Sequence, residues 1–347
     1  MKQRILVLLA ALAMPVFSIA QTKVTVYGFV DAGIAVEHGG AAGSVTKLAS
    51  GIAGPNRLGF HATEDLGGGL KAIANLEGGL AIDTGATVGG ALWGRQTYAG
   101  LSGALGTVTL GRQFTSLFTT LLRVGDPMHN GYAGQAGNLM TAGVVGGPRA
   151  AGGLGVFRSN MVRYRSPSVA GFTGELGYGF GEVAGDSSAS RSWDIGAAYA
   201  HGPLAVALAH LDTNNATATD TARNTLLAAN YDFGAAKAYA AFGVNKGFAS
   251  VDDREYLLGV AVPLGASRLM ASVIRKDDRA STANDATQLA LAWSYRLSKR
   301  TELFTSIARI SQDASNASAA FYSINSGAPG VPGGGDRVFN LGISHAF

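Results

Sequence analysis

Large apolar side chains alternate with small or polar side chains along most of this chain, which is the period-2 pattern of β-strands. In the segment 288–297, Leu, Leu, Trp, Tyr and Leu take one face, while Gln, Ala, Ala, Ser and Arg take the other. The segment 256–264 repeats this pattern. A soluble sandwich also alternates, but its bulky face is the inside. Here the other face is mostly Gly, Ala, Ser and Asn with scattered charges, which favours a barrel with a water-filled lumen.

The last eleven residues, 337–347, form a strand with one large apolar face, which carries Phe339, Leu341, Ile343 and Phe347. A bare apolar edge of this kind would pair with other chains if it were left open. The segment 24–37 alternates in the same way and supplies a partner strand. We therefore predict an antiparallel transmembrane β-barrel that is closed by its two ends.

The connections between strands alternate in length. The short links are 65–69, 103–106, 167–171, 200–203, 232–235, 264–267 and 297–300. The long links are 38–54, 83–91, 114–157, 182–191, 213–222, 247–253, 277–286 and 312–336. Fifteen links predict sixteen strands, with short periplasmic turns on one side and long extracellular loops on the other. A barrel of that size encloses an aqueous channel.

Residues 1–20 have the features of a secretory signal peptide. Lys2 and Arg4 give a positive start, an apolar stretch follows, and 18–20 is a small-x-small cleavage site. The apolar stretch is shorter than the ~20 residues of a membrane helix. We therefore expect residues 1–20 to be removed and residues 21–347 to form one barrel domain in the cell outer membrane.

Composition agrees with an exported channel. Glycine accounts for 50 of 347 residues, only 14% are charged and cysteine is absent, so no disulfide framework is expected. The formal net charge is +4 and falls to about +2 without the signal segment, which is not a nucleic-acid-binding pattern.

The longest link, residues 114–157, is too long for an ordinary hairpin loop. It is rich in Gly and Ala, and Asp126 is its only carboxylate. A loop of this size either caps the barrel from outside or folds into it, and the pattern of residues favours neither.

Several short stretches carry a more specific signal. They are 24–33 (VTVYGFVDAG), 56–60 (NRLGF), 64–72 (EDLGGGLKA), 76–77 (LE), 95–101 (RQTYAGL), 111–113 (GRQ), 160–164 (NMVRY), 166–167 (SP) and 345–347 (HAF). Together these stretches span the mature chain, which resembles the Gram-negative general diffusion porins of the β-proteobacterial type. That family consists of trimeric, sixteen-stranded outer-membrane barrels.

The resemblance implies several properties that the residue pattern alone does not give. It implies that the third loop, about 114–157, folds inward and narrows the channel. It implies a homotrimer in contact with outer-membrane lipid and lipopolysaccharide. It also implies that Phe347 is the assembly signal for the barrel-assembly machinery.

Strand parity gives the first candidates for the pore constriction. Arg57 shares a face with Gly and Thr and opposes Leu58 and Phe60, so we expect it in the lumen. Glu77 and Arg95 are assigned to the lumen in the same way, Arg95 because it opposes Tyr98. Guanidinium groups in a narrow aqueous pore raise the local concentration of anions and repel cations.

The remaining constriction candidates lie in and around the third loop. Arg112 shares parity with outward-facing residues, although the resemblance places it near the pore or a subunit interface. Arg149 and Arg158 lie near the end of the loop, and Asp126 is the one counter-charge within it. The poverty of carboxylates in this loop departs from the family pattern.

These observations predict a passive channel for small ions and hydrophilic solutes, mildly selective for anions. We find no Ser/His nucleophile, paired carboxylates or metal-ligand spacing, so we expect no catalytic site, cofactor or bound metal. A substrate-specific porin would show saturable block by one solute. An outer-membrane barrel enzyme and an adhesin that uses the long loops are the competing functions of another class.

Overall fold

The computed structural model describes residues 22–40, 43–88, 90–141, 155–248, 251–280, 285–312 and 335–347. The predicted signal segment 1–20 and the candidate Arg149 lie outside the described residues. None of the helices in the described part of the chain has the length and apolar character that a membrane crossing requires.

The described residues form one antiparallel sheet of eighteen strand segments. They are β1 Thr22–Gly40, β2 Gly43–Ser50, β3 Arg57–Gly67, β4 Leu70–Ala81, β5 Ala86–Val88, β6 Gln96–Gly103, β7 Gly106–Phe114, β8 Phe157–Arg165, β9 Phe172–Gly179, β10 Ser192–His201, β11 Leu204–Asn214, β12 Thr221–Asp232, β13 Lys237–Gly247, β14 Val251–Leu264, β15 Ser267–Asp278, β16 Ala286–Arg296, β17 Thr301–Gln312 and β18 Arg337–Ala346.

Two of the barrel strands are interrupted, so the eighteen segments make a closed barrel of sixteen strands, as predicted. β2 and β3 pair with successive parts of β1, and β5 and β6 pair with successive parts of β4. β1 also pairs with β18, from Phe29 opposite Ala346 to His38 opposite Arg337. The two ends of the chain therefore close the sheet and leave no open edge, which confirms the predicted closure.

The break between β2 and β3 is held by a buried carboxylate. Asp31 of β1 is 1% exposed and accepts hydrogen bonds from the backbone N–H groups of Ile52 (2.7 Å) and Gly54 (3.0 Å). The Asn56 side chain accepts from the Asp31 N–H and donates to the Asp31 carbonyl. These bonds satisfy the backbone where the ladder is interrupted.

The barrel has its large apolar side chains outside and its small and polar side chains inside. In β16, Leu289 and Leu291 are each 59% exposed, whereas Gln288, Ala290 and Ala292 are between 0% and 6% exposed. Because the opposite arrangement would be needed for a water-soluble barrel, this outer surface fits the hydrocarbon of a membrane.

The seven short links are turns at the predicted places, but two of the long links are wrong in detail. Most of the predicted loop 38–54 is strand, since β1 runs to Gly40 and pairs with β2. The predicted loop 83–91 contains β5. β2 carries polar residues on both faces and β5 has only three residues, so neither shows the alternation from which the other strands were predicted.

The third loop folds into the barrel. It begins with a short helix, α1, Ser116–Thr120, whose N-cap Thr115 side chain accepts a hydrogen bond from the Phe118 N–H. A π-helical turn, Leu121–Gly125, follows directly, and a 3-10 turn covers Ala136–Asn138. The loop lies along the inner wall from β10 to β17, as the contacts below show.

Candidate pore constriction

The start of the third loop is fastened to the barrel wall by two carboxylates. The Ser116 N–H donates to both carboxylate oxygens of Asp194 on β10, at 3.1 and 2.9 Å, and its hydroxyl donates to Glu175 on β9 at 3.1 Å. Arg163 of β8 pairs with Asp194 at 2.5 Å. Asp194 is fully buried, so these hydrogen bonds replace the water that a carboxylate requires.

The middle of the loop is organised around Asp126. Its carboxylate accepts hydrogen bonds from the backbone N–H groups of Met128 (2.8 Å), Asn130 (2.9 Å) and Ala136 (3.2 Å). Asp126 is only 1% exposed. Burial raises the pKa of its carboxyl, while the three N–H bonds and the nearby His129 act in the opposite direction.

The loop then passes close to β14, β15 and β17. Pro127 packs against Gly259 of β14, where a Cβ atom would lie 2.6 Å from the Pro127 Cγ, so only glycine permits this approach. Arg268 of β15 donates to the Pro127 carbonyl at 2.8 Å. Tyr132 packs edge-on against Phe304 of β17, with ring centroids 5.8 Å apart.

Polar side chains of the wall fasten the later part of the loop. Gln288 of β16 accepts from the Asn138 side chain at 2.8 Å and donates to the Gly134 carbonyl at 2.9 Å. Glu255 of β14 accepts from the Thr141 N–H and hydroxyl at 2.9 and 2.8 Å. The loop is thus attached at intervals from residue 116 to residue 141, and it narrows the lumen along one wall.

Arg57 on β3, Glu77 on β4 and Arg95 just before β6 come together on another part of the wall. The Arg95 Nε lies 2.8 Å from Glu77 Oε1, and the Arg57 Nε lies 3.9 Å from Glu77 Oε2. The Tyr27 hydroxyl of β1 donates to Glu77 at 3.0 Å. One carboxylate is therefore paired with two guanidinium groups. The side chain of Arg57 is 32% exposed and that of Glu77 is 5% exposed.

The prediction that Arg95 lies in the lumen assumed that Tyr98 faces outward, and that assumption was wrong. Tyr98 is opposite Asn75 in the register of β4 and β6, and Asn75 is buried inside the barrel, so Tyr98 also faces inward. Arg95 precedes β6, which begins at Gln96. Its side chain is therefore not constrained by strand alternation and reaches Glu77.

Arg112 and Arg158 lie on either side of a bulge where β7 pairs with β8. The register shifts between Gly111 and Gln113, and Gly111 has a φ of +135°. Arg112 donates to the Gly94 carbonyl at 2.6 Å and to Ser159 at 2.8 Å, and lies 4.9 Å from the centroid of Phe157. The Arg158 guanidinium donates to the Thr213 hydroxyl of β11. Arg95 lies over the same Phe157 ring, 5.6 Å from its centroid, so Arg112 adjoins the group around Glu77.

Sequence reasoning missed several charged residues of the lumen. Asp194 lies between the exposed Trp193 and Ile195, so the same alternation that placed Arg57 would have placed it inside. Arg163 contacts Asp194, and Glu175 contacts Ser116. Their closeness to Asp194 depends on how β8, β9 and β10 pair, which alternation within one strand does not give. Arg123 and His129 are the exposed basic groups in the described part of the third loop.

Comparison with known proteins agrees with this architecture. A family model described as Gram-negative porin matches residues 6–315. The outer membrane porin protein 32 of Delftia acidovorans is 32% identical over 355 aligned residues, which cover 99% of each chain. An outer membrane porin protein of Bordetella pertussis is 30% identical and covers 82% of this chain and 88% of its own.

Solved structures give the same result. The anion-selective porin from Comamonas acidovorans superposes with a TM-score of 0.81 at 28% identity, over 94% of this chain and all of the other. A trimer form of an outer membrane protein of Vibrio cholerae has a TM-score of 0.68 at 15% identity and shows the shared fold. The chain belongs to the Gram-negative porin family, and it forms a diffusion channel of the outer membrane.

Proposed function

We propose that this channel passes small hydrophilic solutes and ions by passive diffusion and favours small anions over cations. The observation that carries the proposal is the group of Arg57, Glu77 and Arg95, in which two guanidinium groups share one carboxylate. The group has a net charge of one positive unit on the lumen wall. A fixed charge of this kind attracts anions and repels cations in an aqueous pore.

The neighbouring wall adds to the same field. Arg163 and Arg165 of β8 lie near Glu175 and Asp194, with Arg163 bound to Asp194 at 2.5 Å and Arg165 to Glu175 at 3.4 Å. Arg158 donates to the Thr213 hydroxyl and forms no ion pair with a carboxylate among the described residues. Within the described wall from β3 to β10, arginines thus outnumber the carboxylates beside them.

The relatives support this proposal. The structure from Comamonas acidovorans is described as an anion-selective porin, and it shares 28% of its residues and the whole barrel with this chain. Passive diffusion involves no catalytic step, which accords with relatives that are porins.

The test is a reversal potential across a planar lipid bilayer with a salt gradient. The wild-type protein should give a potential of the sign that anion flow produces. The double variant Arg57→Ala with Arg95→Ala should lower the anion-to-cation permeability ratio, more at ~0.1 M salt than at ~1 M salt because screening is weaker. If the double variant keeps the wild-type reversal potential at low salt, these arginines do not line the constriction.

We further propose that the barrel assembles as a homotrimer. The support is membership of the porin family together with the trimer form of the Vibrio cholerae protein that shares this fold. The purified protein in mild detergent should scatter light with three times the mass of one chain. A monomeric mass under the same conditions would contradict the trimer and would leave the channel proposal untouched.

A further inference from the structure

The break between β2 and β3 forms an inner bend, residues 51–56, that lies against the tip of the third loop. The Tyr132 N–H donates to the Ile52 carbonyl at 2.5 Å. A Cβ atom on Gly131 would lie 2.1 Å from the Ala53 carbonyl oxygen, so only glycine permits this approach. Ile52 is 2% exposed and belongs to the same buried apolar cluster as Tyr132. The third loop therefore reaches round the lumen to the wall formed by β1 and β3.

The other end of the inner bend contacts Arg57. The Arg57 Nη1 donates to the Pro55 carbonyl at 3.0 Å, and the guanidinium carbon lies 5.1 Å from the ring centroid of Phe29. Gly54 lies close to the same ring, since a Cβ atom there would be 3.3 Å from Phe29. The carbonyl contact is shorter than the 3.9 Å between Arg57 Nε and Glu77. The position of this guanidinium group therefore depends on the bend as well as on the carboxylate.

The shape of the inner bend depends on Asp31. The bend lies outside the strand ladders, so its backbone N–H groups need other acceptors. The Asp31 carboxylate accepts from Ile52 and Gly54, and its carbonyl accepts from the Gly51 N–H at 3.4 Å. The Asn56 side chain closes the bend on the Asp31 backbone. A charged acceptor forms stronger hydrogen bonds than a neutral one, so this carboxylate is the main anchor of the bend.

We propose that Asp31 is a positioning residue of the constriction. By shaping the inner bend, it holds Arg57 and the tip of the third loop in a fixed arrangement on the same side of the lumen. Asp31 is itself 1% exposed, so it acts through these groups and not by contact with passing ions. The role of Arg57 rests on the proposed anion preference, whereas the seating of the loop tip does not.

Displacement of the bend should lower the anion preference. It frees Arg57 from the Pro55 carbonyl and lets the guanidinium group close on Glu77, away from the path of ions. A retreat from about 6 Å to about 9 Å from that path would lower the anion-to-cation ratio roughly twofold at ~0.1 M salt. Simple loss of a negative charge from the wall would have the opposite sign and would raise the ratio. A variant that keeps the charge of Asp31 separates the two effects.

Asp31→Glu keeps the charge and adds one methylene group, which a side chain 1% exposed cannot accommodate unless the bend moves. Reversal potentials of single channels under a salt gradient should give an anion-to-cation ratio roughly twofold below wild type at ~0.1 M salt. The same substitution in an Arg57→Ala background should leave the ratio unchanged, because the arginine that it displaces is gone. Asp253→Glu is the matched control, since it lengthens another buried carboxylate, on β14, and it should keep the ratio in both backgrounds.

A second variant tests the contact with the third loop. Gly131→Ala adds a Cβ atom 2.1 Å from the Ala53 carbonyl and separates the loop tip from the bend without a change of charge. Both Gly131→Ala and Asp31→Glu should increase the frequency of brief closures in single-channel records at fixed voltage. The frequency of closures does not depend on which ion carries the current, so it reports the loop tip separately from the ion preference.

Several outcomes would overturn the proposal. A wild-type ratio in Asp31→Glu would do so, as would an equal fall in the Arg57→Ala background, since the bend would then act on pore shape and not through Arg57. Closures as rare as in wild type would overturn the seating of the loop tip. A cation-selective wild-type channel would refute the anion preference alone, and the closures would still decide whether Asp31 holds the loop. Channels are recorded one at a time, so a low folding yield does not prevent the measurement.

Discussion

Replacement of Arg57 by alanine tests the electrostatic origin of the proposed anion preference. Arg95 remains paired with Glu77 at 2.8 Å in this variant, so the group changes from one net positive charge to none. Arg57 is the better choice of the two arginines because its side chain is 32% exposed, against 13% for Arg95. The change removes a charge that faces water and leaves the closer ion pair in place.

The size of the effect follows from Coulomb's law. A monovalent ion that passes about 6 Å from a unit charge in water at ~0.1 M salt gains or loses about 0.4 kcal/mol. The effect has opposite signs for anions and cations, so the charge changes their ratio by about three- to fourfold. At ~1 M salt the Debye length is about 3 Å, and the same charge changes the ratio by only about 1.4-fold.

The assay is the reversal potential of single channels under a fixed salt gradient, repeated at both salt concentrations. Arg57→Ala should lower the anion-to-cation ratio by about three- to fourfold at ~0.1 M salt and barely at ~1 M salt. Arg57→Lys is the control, since it keeps the charge and should keep the ratio within about 1.5-fold of wild type. A fall of equal size in both variants would mean that shape, and not charge, sets the preference. An unchanged ratio in Arg57→Ala would show that ions do not pass near this group.

Three further predictions concern assembly and the loop. Deletion of Phe347, whose backbone forms two 3.0 Å hydrogen bonds with Gly28, should sharply lower the amount of barrel in the outer membrane, measured by immunoblot against full-length protein. Asp126→Asn leaves at least one buried backbone N–H group without its acceptor, which costs about 1–3 kcal/mol of loop stability. The variant should therefore show larger current fluctuations and faster proteolysis of the loop. Asp220→Asn, in an exposed loop, is the control and should show neither change. N-terminal sequencing of protein from the membrane should begin at Gln21, and recovery of Met1 would contradict the proposed signal peptide.

Alternation along each strand, together with the alternating lengths of the links, predicted the sixteen-stranded barrel. The outward Leu289 and Leu291 and the inward Gln288 and Ala290 follow directly from a period of two. The same reasoning failed where a residue lies outside a strand or where both faces are polar. Arg95 precedes β6, and β2 carries polar residues on both of its faces.

The contacts of the third loop could not be predicted from alternation because they join residues far apart in sequence. Ser116 meets Asp194, and Thr141 meets Glu255, across more than seventy residues in each case. Asp126 looked like a counter-charge for the pore because it is the one carboxylate in its loop. Its carboxylate instead binds three N–H groups of the same loop, a role that depends on a turn geometry with no simple sequence signature.

The carboxylates and the arginines of the lumen differ in burial and in hydrogen bonding. Asp126, Asp194 and Glu255 are each 1% exposed or less, and each accepts hydrogen bonds from the loop backbone. A loop made largely of Gly and Ala has few side chains with which to anchor itself, so buried carboxylates that bind its N–H groups are an effective alternative. Because these negative charges are buried and bound, they act less on passing ions than Arg57, which faces water. The inward fold of the loop therefore fits the proposed preference for anions, since the carboxylates that fasten the loop are bound while Arg57 faces water.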